Sequence, residues 1–461
     1  MNHEEDTIVA VASPRGSAPR AIIRLSGPQA ERALSGFFRF GQRSGELTSL
    51  ATYTSHQGWV DLEEDLNLPG ILYVMRAPYS YTREDVFEIH TVGSPPLLAM
   101  VLEALISRGV RLARPGEFTR RAFLNGRIDL SQAEAVMKLV RSRTEAQRRS
   151  AISQLSGTLS IKMNQIRNAL LQAVAQVEAA IDFCDQDIEF ISRDDLGKIM
   201  DEARSQIEEY LKKSDEESIF GEEIIAVLFG RTNVGKSSLF NCLLSEERAI
   251  VTQTPGTTRD TLEAVFETQS LTFRLIDTAG VRPPQNTIEE LAIARSHQAR
   301  GSAHMVLFVI DGNAGFLPQD RELFAYCKDA PCVVLVNKCD LTLKVSHSEI
   351  SGLLNDAPLL FVSARTGQGT EKIRNEMANV ILTGKADLSA PGFILEVRHK
   401  SALEAAREAL NRGLKAIEEE QGIELVALDL REALDWLGQI TGEVVNEDIL
   451  DRIFSQFCIG K

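Results

Sequence analysis

The sequence is poor in cysteine, in long apolar runs and in net positive charge. Its 461 residues include six cysteines, which form neither a CxxC pair nor a spacing typical of a metal site. No apolar run approaches the roughly 20 residues that a membrane-spanning helix needs. The formal net charge of −15 opposes general binding to nucleic acid. Because the N-terminus also lacks the pattern of a secretion signal, we predict a cytoplasmic protein with free thiols.

One stretch departs from this acidic average. Residues 108–149 contain ten Arg and one Lys against four acidic residues, which gives a local charge of +7. Two interpretations fit equally well. The stretch could be a surface for tRNA or another anionic ligand, or it could be a set of helices whose acidic partners lie elsewhere in the fold.

Periodicity divides the chain into four segments. Residues 1–121 mix short β-rich runs with Gly and Pro breaks and one helical pattern, which indicates a small α/β domain. Residues 122–220 and 384–461 have helical periodicity. Residues 221–383 alternate short apolar strands with helical segments, a pattern typical of a parallel sheet with helices on both faces. We therefore predict an α/β nucleotide-binding domain inserted into an all-helical domain.

The inserted segment opens with a phosphate-binding-loop pattern, GxxxxGKS, which runs from Gly230 to Ser237 directly after a predicted strand. Backbone N–H groups of such a loop surround phosphates, and Lys236 supplies a positive charge to the β and γ oxygens. The hydroxyl of Ser237 is offered to Mg²⁺. The pattern therefore predicts a site that binds a nucleoside triphosphate.

Three later motifs predict which nucleotide binds. DTAG ends a strand, where the Asp277 carboxylate can hold a Mg²⁺-bound water and the Gly280 N–H can meet the γ-phosphate. NKCD closes a later strand, and its Asp340 carboxylate can accept two N–H bonds from guanine, which adenine cannot offer. Backbone N–H groups of the third motif, SAR, would support the base. The predicted GTP and GDP ligands are Asn233, Gly235, Lys236, Ser237, Ser238, Thr252, Thr257, Thr258, Asp277, Gly280, Asn337, Lys338, Asp340, Ser363, Ala364 and Arg365.

The polar segment 252–260 lies between the phosphate loop and DTAG and is the expected switch. Its Thr258 is placed to join Ser237 on Mg²⁺ when the γ-phosphate is present. Val281, and not Gln, follows DTAG, and the switch carries no obvious arginine finger, so another positive charge is needed. The Asn233 amide oxygen could hold a monovalent cation there, although an exposed loop Asn is the alternative. The predicted K⁺ ligands are Asn233, Thr252, Thr254 and Thr257.

The motifs GRxNVGKS, GTTRD, DTAGxR and NKxD together resemble the potassium-dependent GTPases that are activated by dimerisation. Residues 113–126 (ARPGEFTRRAFLNG), residues 129–135 (DLSQAEA) and the final FCIGK are similar, more narrowly, to the MnmE family of tRNA-modification GTPases. This resemblance covers nearly the whole chain. It implies a P-loop GTPase domain inserted into an all-helical domain, preceded by a small α/β folate-binding and dimerising domain.

The resemblance also implies cofactors and partners. It implies a homodimer that uses GTP, Mg²⁺, K⁺ and a one-carbon tetrahydrofolate in the 5-formyl or methylene form. The expected partner is the flavoprotein MnmG (GidA), in a heterotetramer, and the expected substrate is C5 of the wobble uridine of certain tRNAs. The modification would be of the carboxymethylaminomethyl type.

The residues that the resemblance assigns are spread over the α/β and the helical segments. Those matching the family's folate site are Arg24, Glu88, Arg127 and Lys461; the family usually has Lys where Arg127 stands. Cys458 would lie near the folate, although a lone Cys in an apolar context is more often inert core. Glu289 would orient the attacking water, which makes the expected catalytic residues Glu289, Lys236 and Asn233.

Two other functions share the central motifs. A ribosome-assembly GTPase would carry an RNA-binding module and would have no use for a folate-like N-terminus or a final CIGK. A scaffold that binds GTP without hydrolysing it is the second alternative, and a turnover assay would separate it.

Overall fold

The computed structural model describes residues 6–14, 16–41, 47–63, 66–142, 145–183, 191–217, 223–245, 262–269, 271–277, 303–325, 327, 330–345, 357–382 and 395–460. The chain forms two compact units. The first contains Met1–Arg141, Ala151–Glu208 and Glu396–Lys461, and the second contains Ser142–Ser150 and Glu209–Leu395. The boundaries drawn from the sequence, at residues 121, 220 and 383, stay predictions.

The first unit begins with a seven-stranded sheet in the order β3-β4-β5-β6-β2-β1-β7. Neighbouring strands are antiparallel, except that β7 is parallel to β1. The strands are β1 (Ile8–Val11), β2 (Ala18–Ser26), β3 (Phe38–Phe40), β4 (Thr54–Glu63), β5 (Leu66–Met75), β6 (Val86–Gly93) and β7 (Arg111–Leu112). Two helices, α1 (Ala30–Leu34) and α2 (Pro95–Ser107), and a 3₁₀ turn (Leu47–Ser49) accompany the sheet.

One face of this sheet is apolar and packs on the two helices. Ile23, Leu25 and Ile89 of the sheet share a core with Val101 and Leu105 of α2. Since side chains alternate along a strand, the residues between these core positions point to the outer face. That alternation places polar side chains of β2 and β6 together on the outer face.

The rest of the first unit is helical. Its helices are α3 (Glu117–Leu124), α4 (Leu130–Arg141), α6 (Thr158–Asp182), α11 (Val397–Glu418), α12 (Ile423–Thr441) and α13 (Glu447–Phe454). Two further helices, α5 (Glu145–Leu155) and α7 (Arg193–Glu217), run across the division between the units. Helix α12 packs on α6 and α11. No described helix is both long and apolar enough to cross a membrane.

A buried polar network fixes the first turn of α11, which is the first described helix after the inserted segment. Glu134 of α4 accepts hydrogen bonds from Arg398 Nε (2.9 Å) and Arg398 Nη2 (2.9 Å). His399 Nε2 lies 2.7 Å from Glu134 Oε2. Glu134 and His399 are both buried. The network therefore joins two segments that are more than 250 residues apart in the sequence.

The second unit contains a six-stranded sheet in the order β13-β12-β11-β8-β10-β9. Its strands are β8 (Glu223–Phe229), β9 (Leu262–Thr268), β10 (Leu271–Asp277), β11 (Met305–Asp311), β12 (Cys332–Asn337) and β13 (Leu359–Phe361), and its helices are α8 (Lys236–Ser245), α9 (Pro318–Ala325) and α10 (Thr370–Leu382). The five strands expected from the sequence are parallel, as predicted, and a sixth strand that was not predicted, β9, pairs antiparallel with β10 at one edge. A connection as short as that from Thr268 to Leu271 permits only antiparallel pairing.

The parallel strands place several polar residues at one edge of this sheet. Strands β8, β10, β11 and β12 end at Phe229, Asp277, Asp311 and Asn337. Because the carboxyl ends of parallel strands meet at the same edge, the loops that follow them converge. The candidate functional site lies at this edge.

Candidate functional site

The loop between β8 and α8 has the backbone shape that its glycines predict. Gly230, Asn233 and Gly235 have φ of 146°, 62° and 101°. A Cβ on Gly230 would lie 2.3 Å from the carbonyl oxygen of Val309, so β11 excludes any side chain there. The loop then opens into α8 at Lys236. A helix N-terminus of this kind attracts phosphate through its free N–H groups.

Lys236 is buried and is held by the loop itself. Its Nζ donates to the carbonyl oxygens of Gly230 (2.8 Å) and Arg231 (2.7 Å). Burial lowers the pKa of Lys236, and the nearby Asp277 carboxylate opposes that shift. Asp277 is fully buried at the end of β10. The ammonium group therefore stands at the entrance to α8, where phosphate oxygens can replace the two carbonyls.

Asn337 joins the phosphate loop to the loop after β13. Its Nδ2 donates to the carbonyl oxygen of Val234 (2.9 Å), and its Oδ1 accepts from the Ala364 N–H (3.0 Å). The side chain is buried. A Cβ on Gly235 would lie 2.2 Å from Asn337 Nδ2, so the loop passes close against this amide. In this structure the predicted nucleotide ligand Asn337 acts as a brace between two loops.

The Asp340 carboxylate is held ready to accept hydrogen bonds. Ser363 Oγ donates to Asp340 Oδ1 (2.7 Å), and Arg365 Nη2 lies 2.8 Å from Oδ2. The Ser363 hydrogen bond is the largest of the effects that lower the pKa of Asp340. The N–H of Ser363 donates to Gln368 and that of Ala364 to Asn337, so base support by these two N–H groups stays a prediction.

Lys338 connects the phosphate loop to the end of β11. Its Nζ donates to the Asn233 carbonyl oxygen (3.1 Å) and to Asp311 Oδ2 (2.6 Å). Burial would raise the pKa of Asp311, but the Lys338 hydrogen bond and two backbone N–H groups lower it on balance. The sequence reasoning did not find Asp311. Its position directly after an apolar strand was the available signal.

The predicted ligands Ser237 and Ser238 lie in the first turn of α8. Several other predicted ligands lie outside the described residues, and their positions stay predictions: Thr252, Thr254, Thr257, Thr258, Gly280, Glu289 and Lys461.

In the first unit, two of the four predicted folate residues contact Tyr81, and a third, Glu88, pairs with one of them. Arg24 Nε donates to Glu88 Oε1 (2.8 Å), and the Arg24 guanidinium lies 5.8 Å from the Tyr81 ring centroid. Arg127 lies 4.9 Å from the same centroid and donates from Nη1 to the Tyr81 carbonyl oxygen (3.0 Å). Burial would raise the pKa of Glu88, but Arg24 and His90 lower it on balance. No sequence signal marked Tyr81.

The segment after α13 completes this cluster. Gly460 packs so closely that a Cβ would lie 2.3 Å from the Val11 carbonyl oxygen, and its own carbonyl lies 3.5 Å from Arg24 Nη1. The Cys458 carbonyl accepts from the Gly116 N–H (3.5 Å). The Cys458 side chain is exposed, which excludes the inert-core alternative.

A groove of about 810 Å³ lies on the outer face of the first sheet. Arg20, His56, Trp59 and His90 are among the residues that line it. His90 Nε2 lies 3.1 Å from Glu88 Oε2, so the groove borders the Arg24–Glu88 pair.

Much of the basic stretch 108–149 is paired within the first unit. Arg111 and Arg121 both contact Asp6, and Arg120 contacts Asp451. For these three residues the acidic partners lie elsewhere in the fold, which favours the second of the two interpretations.

The geometry of the nucleotide site identifies the class of protein. A phosphate loop is tied through Asn337 to the loop after β13, whose Ser363 binds the Asp340 carboxylate, at the carboxyl edge of a mainly parallel sheet. This arrangement is that of a P-loop GTPase. The family described as "MnmE helical domain" matches residues 130–458, and the one described as "GTP-binding protein TrmE N-terminus" matches residues 7–127. The chain belongs to the MnmE family of tRNA modification GTPases.

Full-length relatives agree with this assignment. The tRNA modification GTPase MnmE of Natranaerobius thermophilus is 39% identical over 458 residues, which are 99% of this chain and 100% of the relative. That of Desulforamulus reducens is 38% identical over 460 residues, again 99% and 100%. Among solved structures, the G domain of the T. maritima FeoB iron transporter is 28% identical, with a TM-score of 0.28, and covers 35% of this chain and 99% of its own.

Proposed function

We propose that this GTPase hydrolyses GTP with Mg²⁺ and K⁺ as a homodimer whose GTPase domains pair. The hydrolysis cycle would control modification of C5 of the wobble uridine in certain tRNAs, together with the flavoprotein MnmG. Membership of the MnmE family supports the tRNA substrate, the partner and a cytoplasmic location. The site geometry supports the ion requirements.

The donor set fits a Mg²⁺ ion. Ser237 supplies a hydroxyl in the first turn of α8, and Asp277 supplies a carboxylate at the end of β10. Mg²⁺ prefers such oxygen ligands and keeps several waters, which the Asp277 carboxylate can hold. When bound, the ion would neutralise charge on the β and γ phosphates. Thr258 would be the further ligand from the switch.

The single observation that carries the K⁺ proposal is the fixed backbone of Asn233. Its backbone has a φ of 62°, and its carbonyl bond to Lys338 Nζ holds it in this left-handed conformation within the phosphate loop. A backbone fixed in this way lowers the entropy cost of placing the amide side chain on an ion. A K⁺ ion there would supply the positive charge that an arginine finger supplies in other GTPases.

Steady-state GTP hydrolysis by the full chain with Mg²⁺, in KCl and in NaCl at equal ionic strength, tests this proposal. We expect a rate at least fivefold higher in KCl, and loss of that difference in Asn233→Ala, because the variant lacks the amide oxygen. Asn379→Ala, on an exposed face of α10, is the matched control and should keep the K⁺ response. Equal rates of the parent in both salts would refute the K⁺ requirement.

The cluster around Tyr81 and the adjoining groove support binding of a one-carbon tetrahydrofolate. Glu88 is ionised and oriented by Arg24, so it can accept N–H groups from a pterin ring. The guanidinium groups of Arg24 and Arg127 can contact the carboxylates or the planar rings of a folate. The exposed thiol of Cys458 would lie close to it.

Calorimetric titration of the full chain with 5-formyltetrahydrofolate tests the folate site. We expect Glu88→Gln to raise the dissociation constant about tenfold, since one charge-assisted acceptor is lost. Asp61→Asn removes a more exposed pair, with Arg39, from the same sheet and should leave binding unchanged. Folate binding of equal strength in the parent and in Glu88→Gln would show that Glu88 does not contribute to the folate site.

A further inference from the structure

The segment that connects β11 to α9 flanks the phosphate loop, although it contains none of the nucleotide motifs. It begins at Asp311, whose carboxylate pairs with Lys338. It ends at Asp320, in the first turn of α9. We call residues 311–320 the bracing segment. The carboxylate of Asp311 binds Lys338, which contacts the phosphate loop, and the carboxylate of Asp320 binds Arg231 within that loop.

Asp320 is fully buried, and both of its oxygens are engaged. Arg231 Nε donates to Oδ1 (2.6 Å), and the Leu317 N–H donates to Oδ2 (2.9 Å). Asp320 is the third residue of α9, and its bond from the Leu317 N–H is the back-reaching bond of a capping box, which fixes the carboxylate in place. Asp320 is thus a rigid anchor for the Arg231 side chain.

Arg231 links Asp320 to Lys236. Its carbonyl oxygen is one of the two that accept from Lys236 Nζ, at 2.7 Å. Two residues further along the loop, the Asn233 carbonyl accepts from Lys338, which is paired with Asp311. The loop residues on either side of Thr232 are therefore held from the two ends of the bracing segment.

We propose that Asp320 is a positioning residue for GTP binding, which acts through Arg231 on the phosphate loop and on Lys236. The Arg231 guanidinium is mostly buried, and without its carboxylate it is left with an uncompensated charge, so Arg231 would move toward solvent. Its backbone carbonyl would move with it, and the loop would lose the shape that receives phosphates. Ordering the loop again would then reduce the affinity for every phosphate-bearing guanine nucleotide.

The test is fluorescence titration of the full-length Asp320→Asn variant with a labelled GDP, together with steady-state hydrolysis. We expect the dissociation constant for GDP to rise about tenfold. The turnover rate at saturating GTP should fall less than threefold, because binding energy restores the loop once the site is filled. The preference for guanine over adenine should stay unchanged, since Asp340 is not affected. A purely structural role would lower the unfolding temperature and leave the GDP affinity unchanged.

Two further variants make the test specific. Glu223→Gln removes another ion pair of the same sheet, with Arg274, at the opposite end of β8, and should bind GDP like the parent. Arg231→Gln combined with Asp320→Asn should bind GDP no more weakly than the weaker single variant, because both changes remove one interaction.

Arg231→Lys covers the case in which Asp320→Asn does not fold. It keeps the charge near Asp320 but loses the planar fork, so we expect about a threefold weaker affinity for GDP. Parent-like GDP affinity in both Arg231→Lys and Arg231→Gln would overturn the proposal. Strictly additive losses in the double variant would also overturn it.

Discussion

Replacement of Asp340 by Asn is expected to weaken GTP binding by about 100-fold or more and to create binding of xanthosine triphosphate. The carboxylate accepts two N–H bonds from guanine. The NH₂ group of an Asn side chain would instead face the amino group of guanine, and two donors cannot form a hydrogen bond with each other. Xanthine carries an oxygen where guanine carries the amino group, so the Asn amide can donate to it. Competition between labelled GDP and the two triphosphates measures both effects.

The loop around Asp340 offers a matched control for this variant. Arg365→Ala removes the other side chain that pairs with Asp340, yet Arg365 is 76% exposed and such pairs contribute little. We expect it to change the GTP affinity less than threefold. Parent-like GTP affinity in Asp340→Asn would show that this carboxylate does not select the base.

Replacement of Glu134 by Ala is expected to lower the free energy of unfolding by about 3 to 5 kcal/mol. The variant leaves Arg398 and His399 without their shared carboxylate in a buried position. Urea denaturation followed by circular dichroism measures the loss. Glu178→Ala removes a half-exposed pair with Arg431 from the same unit and should cost less than about 1 kcal/mol.

The stabilising effect of Glu134 should decrease as the pH is lowered. Burial would raise the pKa of this carboxyl, but His399 and Arg398 outweigh burial and lower it from 4.5 to about 2. A group with a lowered pKa stabilises the fold fully above its unfolded pKa and loses that effect as the pH falls through the folded value. The stability difference between the parent and Glu134→Ala should therefore shrink by an amount on the order of 3 kcal/mol between pH 5 and pH 2. Urea titrations across this range would contradict the assignment if the difference stayed constant.

The nucleotide site was predictable because each of its motifs is contiguous and follows a strand. The glycines at 230 and 235 fix the loop backbone locally, and strand ends bring Asp277 and Asn337 to one edge. Once those strands were recognised, the topology of a parallel sheet placed the motifs together. The family resemblance added the Arg24–Glu88–Arg127 cluster, which the structure brings together.

The remaining interactions join residues that no local pattern connects. Arg231 meets Asp320 across 89 positions, and Glu134 meets Arg398 across 264. Each of these residues, read alone, is an ordinary charged side chain. The edge strand β9 was missed for a different reason, since its sequence LEAVFET is short and its Leu, Glu and Ala residues suit a helix as well as a strand.

The contact between Arg24 and Gly460 joins residues 436 positions apart, and this separation has a consequence for biosynthesis. All seven strands of the first sheet lie within the first 112 residues, so a growing chain can pair them early. The segment that completes the cluster around Arg24 leaves the ribosome hundreds of residues later. A chain that stops before residue 454 keeps Arg24 and Glu88 but has no peptide to lay beside Val11. Completion of this cluster thus requires that translation has passed residue 460.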